Sequence, residues 1–160
     1  MGEYKLYNVI PELIKFLENL TNWYVRLNRN RLKGEGDEDS WTVSLNVLFD
    51  VLLKVNVLLS PQVPFITEHM YQNLRLAIRK DSPLNAASVH LLLISEVNEK
   101  LVDSKVSEQM NNFMSIVETA RKLREQKKVS LKQPISSLTI VNRNQSVFDN
   151  LAPFLAYIQE

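Results

Sequence analysis

Leu6, Ile10, Leu13, Leu17, Leu20, Tyr24 and Leu27 recur at alternating spacings of four and three, the period of one side of an α-helix. Val9, Phe16 and Trp23 widen the stripe. The spacing predicts a first helix from about Tyr4 or Ile10 to about Leu32, with Pro11 tolerated near its start and Gly34 and Gly36 ending it. Trp41, Leu45, Leu48, Leu52, Val55 and Leu59 predict a second helix, with Ser40 as its N-cap and Ser60-Pro61 as its stop. Ser60 is expected to cap the helix that follows. Ile66, Met70, Leu74 and Ile78 form a third stripe with Tyr71 beside it, ended by Lys80-Asp81-Ser82-Pro83. A loop from Leu84 to about Ser95 comes next. A fourth helix is expected from about Asp103 to Lys128, on Val106, Met110, Phe113, Val117 and Ala120. After Pro134 the period shortens to two, Leu138 and Ile140 alternating with Thr139 and Val141, which predicts a short strand. Val147, Leu151, Phe154 and Ile158 return to helical spacing.

Long stripes with short connections imply a mainly α fold, an up-down helical bundle of four or more helices with a small, truncated C-terminal strand-helix segment. The expected division is 1–128 for the bundle and 129–160 for the start of a C-terminal junction segment.

At 160 residues the chain holds one domain, or one domain and a fragment. With 45% hydrophobic and 23% charged residues it belongs with globular rather than disordered chains. It has no cysteine, which excludes disulfides and thiolate metal sites and permits the reducing cytosol. The apolar runs are broken by Lys54, Asn56 or Pro61, and Met1-Gly2-Glu3-Tyr4-Lys5 lacks the apolar run of a signal peptide. Neither a membrane span nor a secretory leader is expected.

The net charge of +1 hides an uneven distribution. Trp23 to Lys33 holds Arg26, Arg29, Arg31 and Lys33 and no acid. Ala120 to Lys132 holds Arg121, Lys122, Arg124, Lys127, Lys128 and Lys132 against Glu125 alone. The balancing acids gather at Glu35, Asp37, Glu38 and Asp39. Two local patches are therefore suited to an anion. Arg26, Arg29 and Lys33 share one side of a helix, which at about 100° per residue lies about 135° from Leu20, Tyr24 and Leu27. Two readings of that row stay open on residues alone. One is a solvated surface whose cations suit the negative C-terminal end of a helix. The other is a contact for a phosphate backbone, with affinity that falls as salt rises. Arg31 points inward and is expected to serve the structure, pairing with an acid at 35–39 or laying its stem on apolar surface. Arg121, Arg124 and Lys128 share a side of the fourth helix, extended by Lys127 and Lys132. Trp23, Tyr24 and Trp41 are expected in the core rather than stacked on bases. His69 and His90 lack a third ligand at suitable spacing, so no metal site is expected; His90 should instead hold the loop by hydrogen bonding. No nucleophile-base set or carboxylate pair has catalytic spacing.

Leu20-Thr21-Asn22-Trp23-Tyr24 followed by spaced arginines resembles the opening of the anticodon-binding helical domain of isoleucyl-tRNA synthetases, class I enzymes. Leu59 to Glu68 resembles that family's Ala-Pro-Phe-Thr-Pro-Phe stretch before Glu-x-x-Tyr, and Tyr71-Gln72-Asn73-Leu74 continues it. Ser88-Val89-His90, Ala120 to Glu125 and Leu131 to Ile135 resemble later blocks, in the family's order. Arg29 to Glu35 is similar to the eukaryotic cytosolic branch. The resemblance implies a cytoplasmic, tRNA-binding helical domain. It makes Arg26, Arg29, Lys33, Arg121, Arg124, Lys127, Lys128 and Lys132 the tRNA-contacting residues. The implied partners are isoleucine-specific tRNA and the catalytic half of a longer chain, with no membrane. That longer protein would join isoleucine to its tRNA using ATP and magnesium. The chain itself has no His-Ile-Gly-His-like or Lys-Met-Ser-Lys-Ser-like signature, so no catalysis and no cofactor are expected of it. The alternative is a helical protein-interaction module without RNA binding. An enzyme built on the bundle would need an inward cluster of carboxylates or histidines, and the stripes are aliphatic and aromatic.

Overall fold

A computed structural model describes residues 6–35 and 37–159. Tyr4, one expected start of the first helix, and Gly36, one expected stop, lie outside them. The chain is mainly helical, as its stripes predict. Its packing divides into two compact units, Met1–Glu96 and Val97–Glu160. The first three stripes fall in unit one and the fourth in unit two, whereas the sequence-based division lies at 128.

In unit one, α1 (Leu6–Asn19) runs into a π-helical segment, Leu20–Val25, and then, past Asn28, into the short α2 (Arg29–Leu32). Pro11 sits inside α1, where its ring removes the N–H that would bond to the Tyr7 carbonyl. The Thr21 hydroxyl donates to the Leu17 carbonyl at 2.9 Å, supporting the helix where it widens. At Asn28 (φ −97°, ψ 14°) the helix is interrupted. Its backbone N–H and its side-chain amide both donate to the Tyr24 carbonyl, at 3.0 and 2.9 Å, and carry the chain across the break. Gly34 ends α2 at φ 80°. There Gly34 N–H bonds to Arg31 O and Glu35 N–H to Asn30 O, each at 3.0 Å, the paired helix-ending bonds that favour glycine at this position.

α3 (Glu38–Leu59) is capped by Asp37, whose carboxylate accepts from Ser40 N–H at 3.3 Å. The expected cap, Ser40, is already helical, while Asp37 has the extended backbone a cap needs. α4 (Pro64–Arg75) begins with Pro64 in its first turn. Ser60 does not cap it, because its hydroxyl donates backwards to Val57 O at 3.0 Å.

Leu53 and Val57 of α3, Tyr71 of α4 and Val89 form the buried core, with Phe49, Ile78 and Leu92 packed against it. This shifts the phase of both helices from the expected stripes. Val55 of the expected α3 stripe is buried, but Trp41 and Leu45 are exposed, and Ser44, Asn56 and Ser60 are buried in their place. On α4, Ile66 is 53% and Met70 38% exposed, while Thr67 and Tyr71 are inside. The hydroxyl residues can enter because each is satisfied within its own helix: Ser44 donates to Trp41 O at 2.9 Å and Thr67 to Val63 O at 3.0 Å. α3 is long and apolar enough to match a membrane span by length and composition. Its inner side nevertheless serves this core, and its outer side carries the Asp50–Lys54 ion pair at 2.6 Å.

The loop after α4 explains why Tyr71 turns inward. The loop backbone needs hydrogen-bond partners, and α4 supplies them from one side. Tyr71 Oη donates to Leu84 O at 2.7 Å and accepts from Ala86 N–H at 2.8 Å. Gln72 donates to Ala87 O at 2.8 Å, and Arg75 Nε donates to Asn85 Oδ1 at 2.6 Å. Glu68 accepts from the Ser88 hydroxyl at 2.8 Å and from Val89 N–H at 2.9 Å, fixing the 3-10 turn Val89–Leu91. The loop is thus held by Glu68, Tyr71, Gln72 and Arg75, and the His90 side chain expected to hold it is exposed. Hydrogen bonds from Gln72, the Val89 amide and Ser88 draw the Glu68 pKa below its ordinary range, in that order of size. A carboxyl depressed on folding stabilises fully above its unfolded pKa and loses that contribution as pH falls through the folded value. Glu68→Gln should therefore flatten the acid limb of a urea-midpoint against pH curve. An acid limb identical to the unmodified chain's would remove the carboxylate from this account.

In unit two, α5 (Ser104–Gln126) is capped by Asp103, which accepts from Lys105 and Val106 N–H at 2.9 and 3.1 Å. α5 packs on α6 (Gln145–Leu151), which leads through a 3-10 turn, Ala152–Phe154, into α7 (Leu155–Gln159). Phe113 and Leu151 are buried, and Phe113 stacks on Phe154 with ring centroids 5.1 Å apart. The expected strand after Pro134 is absent among the described residues. Leu138 and Val141 are exposed, and with no ladder partner an alternating pattern has nothing to pair with.

Candidate nucleic-acid interface

The first basic row is built on the end of the π-helical segment and on α2. Arg26, Arg29 and Lys33 are all exposed. Among the described residues none of their side chains forms an ion pair or a hydrogen bond. Of the acids that follow, Asp37 caps α3, and Glu38 and Asp39 lie in its first turn, where helix-end charge favours them, while Glu35 is exposed. The row's angular relation to α1 differs from the sequence-based one. A π-turn holds about one residue more than an α-turn, so a count at about 100° per residue fails across Leu20–Val25.

The inner side of this region anchors it. Leu20 and Trp23 are buried. Tyr24 is half-buried, and its hydroxyl donates to Ser44 O on α3 at 3.0 Å. Burial pushes the Tyr24 phenol up, with the Arg31 charge pulling the other way. Among the described residues Arg31 does not pair with an acid. Its Nε donates to the Ser40 hydroxyl at 2.8 Å, one terminal nitrogen to Asn28 Oδ1 at 2.8 Å and the other to Ser40 O at 3.3 Å. Trp23 and Tyr24 meet the expectation of packing; Trp41 does not, being 38% exposed at the start of α3.

The second patch surrounds the C-terminal end of α5. Arg121 and Arg124 are half-buried, and Lys127, Lys128 and Lys132 are exposed. Arg124 donates through one terminal nitrogen to the carbonyls of Ser130 and Gln133. It clasps the turn that follows the helix instead of standing free. Lys128 adopts φ 55°; its N–H bonds to Glu125 O, and Val129 N–H bonds to Arg124 O, both at 2.9 Å. This is the same helix-ending pattern as at Gly34, with lysine in the position that favours glycine. Among the described residues no group of three His, Cys, Asp or Glu side chains is placed to hold a metal ion.

Residues 1–140 match the family model described as the anticodon-binding domain of tRNA ligase. The chain belongs to that family. This anticodon-binding domain is 51% identical over 160 residues to the isoleucine--tRNA ligase of Tetrahymena thermophila, covering 100% of this chain and 15% of that protein. It is 38% identical over 162 residues to the cytoplasmic isoleucine--tRNA ligase of Mus musculus, covering 100% of this chain and 13% of the relative. For the cytoplasmic isoleucine--tRNA ligase of Saccharomyces cerevisiae the identity is 35% over 164 residues, with 100% of this chain and 15% of the relative covered. The domain thus spans about 15% of the length of such relatives.

Two features of the site escape sequence reading. Nothing in Leu-Thr-Asn-Trp-Tyr-Val marks a π-turn, because its apolar spacing fits an α-helix as well. The Ser40 hydroxyl, read as a cap, is instead an acceptor for Arg31.

Proposed function

We propose that this anticodon-binding domain holds the anticodon stem-loop of isoleucine tRNA, with Arg26, Arg29 and Lys33 neutralising backbone phosphates. The observation that carries the reading is an exposed, unpaired row of cations on a segment anchored to α3. Phosphate contacts of this kind position the RNA, while base contacts add sequence specificity. Lys127, Lys128 and Lys132, with Arg121, would form a second phosphate contact, and Arg124 would shape it from beneath. The domain would be non-catalytic. The remaining polypeptide of the longer cytoplasmic protein would be its other partner and would join isoleucine to tRNA, with ATP and magnesium bound outside this chain.

The test is binding of an RNA hairpin that reproduces the isoleucine-tRNA anticodon arm, followed by fluorescence anisotropy over a range of salt. The Arg26/Arg29/Lys33 triple alanine variant should bind more weakly and reduce the slope of log K against log salt by about 2 to 3, since each phosphate contact contributes about 0.7 to 1. A variant with the affinity and slope of the parent chain would remove this row from the interface. Weak association insensitive to salt in the parent chain itself would favour the protein-interaction alternative.

A further inference from the structure

We propose that Arg31 is a positioning residue: its fork onto Ser40 and Asn28 holds the basic turn against α3, so that Arg26, Arg29 and Lys33 stand pre-organised for phosphate. This rests on the RNA-binding reading above. α2 has four residues, too few to be stable as an isolated helix. Side-chain ties bind this stretch to α3 on both sides of the Asn28 break: Tyr24 to Ser44 before it, and Arg31 to Ser40 after it. Arg31 also reaches the break itself. It donates to Asn28 Oδ1, and Asn28 in turn donates to the Tyr24 carbonyl. All three guanidinium nitrogens donate in this way, using three of the five N–H groups. A planar fork with three partners is also a geometry that lysine cannot reproduce. Fixing a flexible segment before binding spares the ordering cost that would otherwise be charged against affinity.

Two variants separate positioning from charge. Arg31→Lys keeps the charge and loses the fork. Ser40→Ala changes no charge and leaves the Asp37 cap intact, because the cap uses the Ser40 backbone N–H. Both are compared with the parent chain well below their melting temperatures, with circular dichroism showing that each is folded. Hairpin affinity should fall about tenfold in Arg31→Lys and about threefold in Ser40→Ala, the range for charge-assisted hydrogen bonds lost wholly or in part. The salt slope should stay unchanged, because no phosphate-contacting charge is removed. In the free chain, amide hydrogen exchange at Leu32 to Glu35 should rise in both variants. A merely structural residue would lower the melting temperature without moving the affinity of the folded chain. Parent-like affinity in Ser40→Ala, or unchanged exchange in Arg31→Lys, overturns the proposal. Failure of the triple alanine variant to weaken binding overturns the RNA reading instead, and the exchange measurement then decides by itself whether Arg31 holds the turn.

Discussion

Tyr71→Ala should destabilise unit one by about 3–5 kcal/mol, the range for removing a large, fully buried aromatic side chain. Tyr71 is 0% exposed and packs among Leu53, Val57 and Val89, so truncation opens a cavity at the meeting point of α3, α4 and the loop. It also strips hydrogen bonds from Leu84 O and Ala86 N–H. Tyr71→Phe separates the two losses. It keeps the ring and should cost about 1–3 kcal/mol, the penalty for hydrogen-bonded groups left unpaired at a part-buried site. Urea unfolding followed by tryptophan fluorescence measures both, because Trp23 and Trp41 lie in unit one. A Tyr71→Phe midpoint equal to that of Tyr71→Ala would show that the hydroxyl carries the whole effect and that the ring's packing is negligible.

Phe113→Ala should have a comparable effect in unit two, again about 3–5 kcal/mol. Phe113 is 1% exposed on α5 and stacks against Phe154 in the turn after α6. Small units have little apolar surface to spare, and one aromatic removed from such a core takes a large share of it. Phe113→Leu keeps most of the volume and should recover more than half of the loss. Thermal unfolding by far-ultraviolet circular dichroism is the measurement, since this unit holds no tryptophan. Equal melting of Phe113→Ala and the parent chain would mean that α5 and α6 do not depend on this contact.

The helices of unit one and α5 were legible in the sequence because their apolar periods are long and their ends carry recognisable stops, such as Gly34 and Ser60-Pro61. Their inward sides were less legible. α3 from Val51 to Leu59 is apolar at nearly every position, so periodicity could not choose between phases. The choice fell to residues that a hydrophobic stripe ignores: Ser44, Ser60 and Thr67 enter the core because their hydroxyls bond within their own helix turn. On α4 the loop's backbone decides, drawing Tyr71 in and leaving Ile66 and Met70 out. The alternation at Leu138–Val141 was a true pattern without a neighbour to pair with. The exposed basic row was readable from spacing and from the absence of acids within it. The commitment of Arg124 to Ser130 and Gln133 was not, since those acceptors are main-chain carbonyls with no sequence signature.

The wide helical turn at Leu20–Val25 holds a residue that an ordinary helix would not need. The Tyr24 and Arg31 anchors lie at its end or beyond it. Loss of a single amino acid between Asn19 and Trp23 would therefore let the segment close as an ordinary α-turn, with α1 and the arginines that α3 holds keeping about the same relative rotation. Over evolutionary time, the loss of one residue at this spot would be absorbed in the turn, sparing both the aim of α1 and the cationic grip.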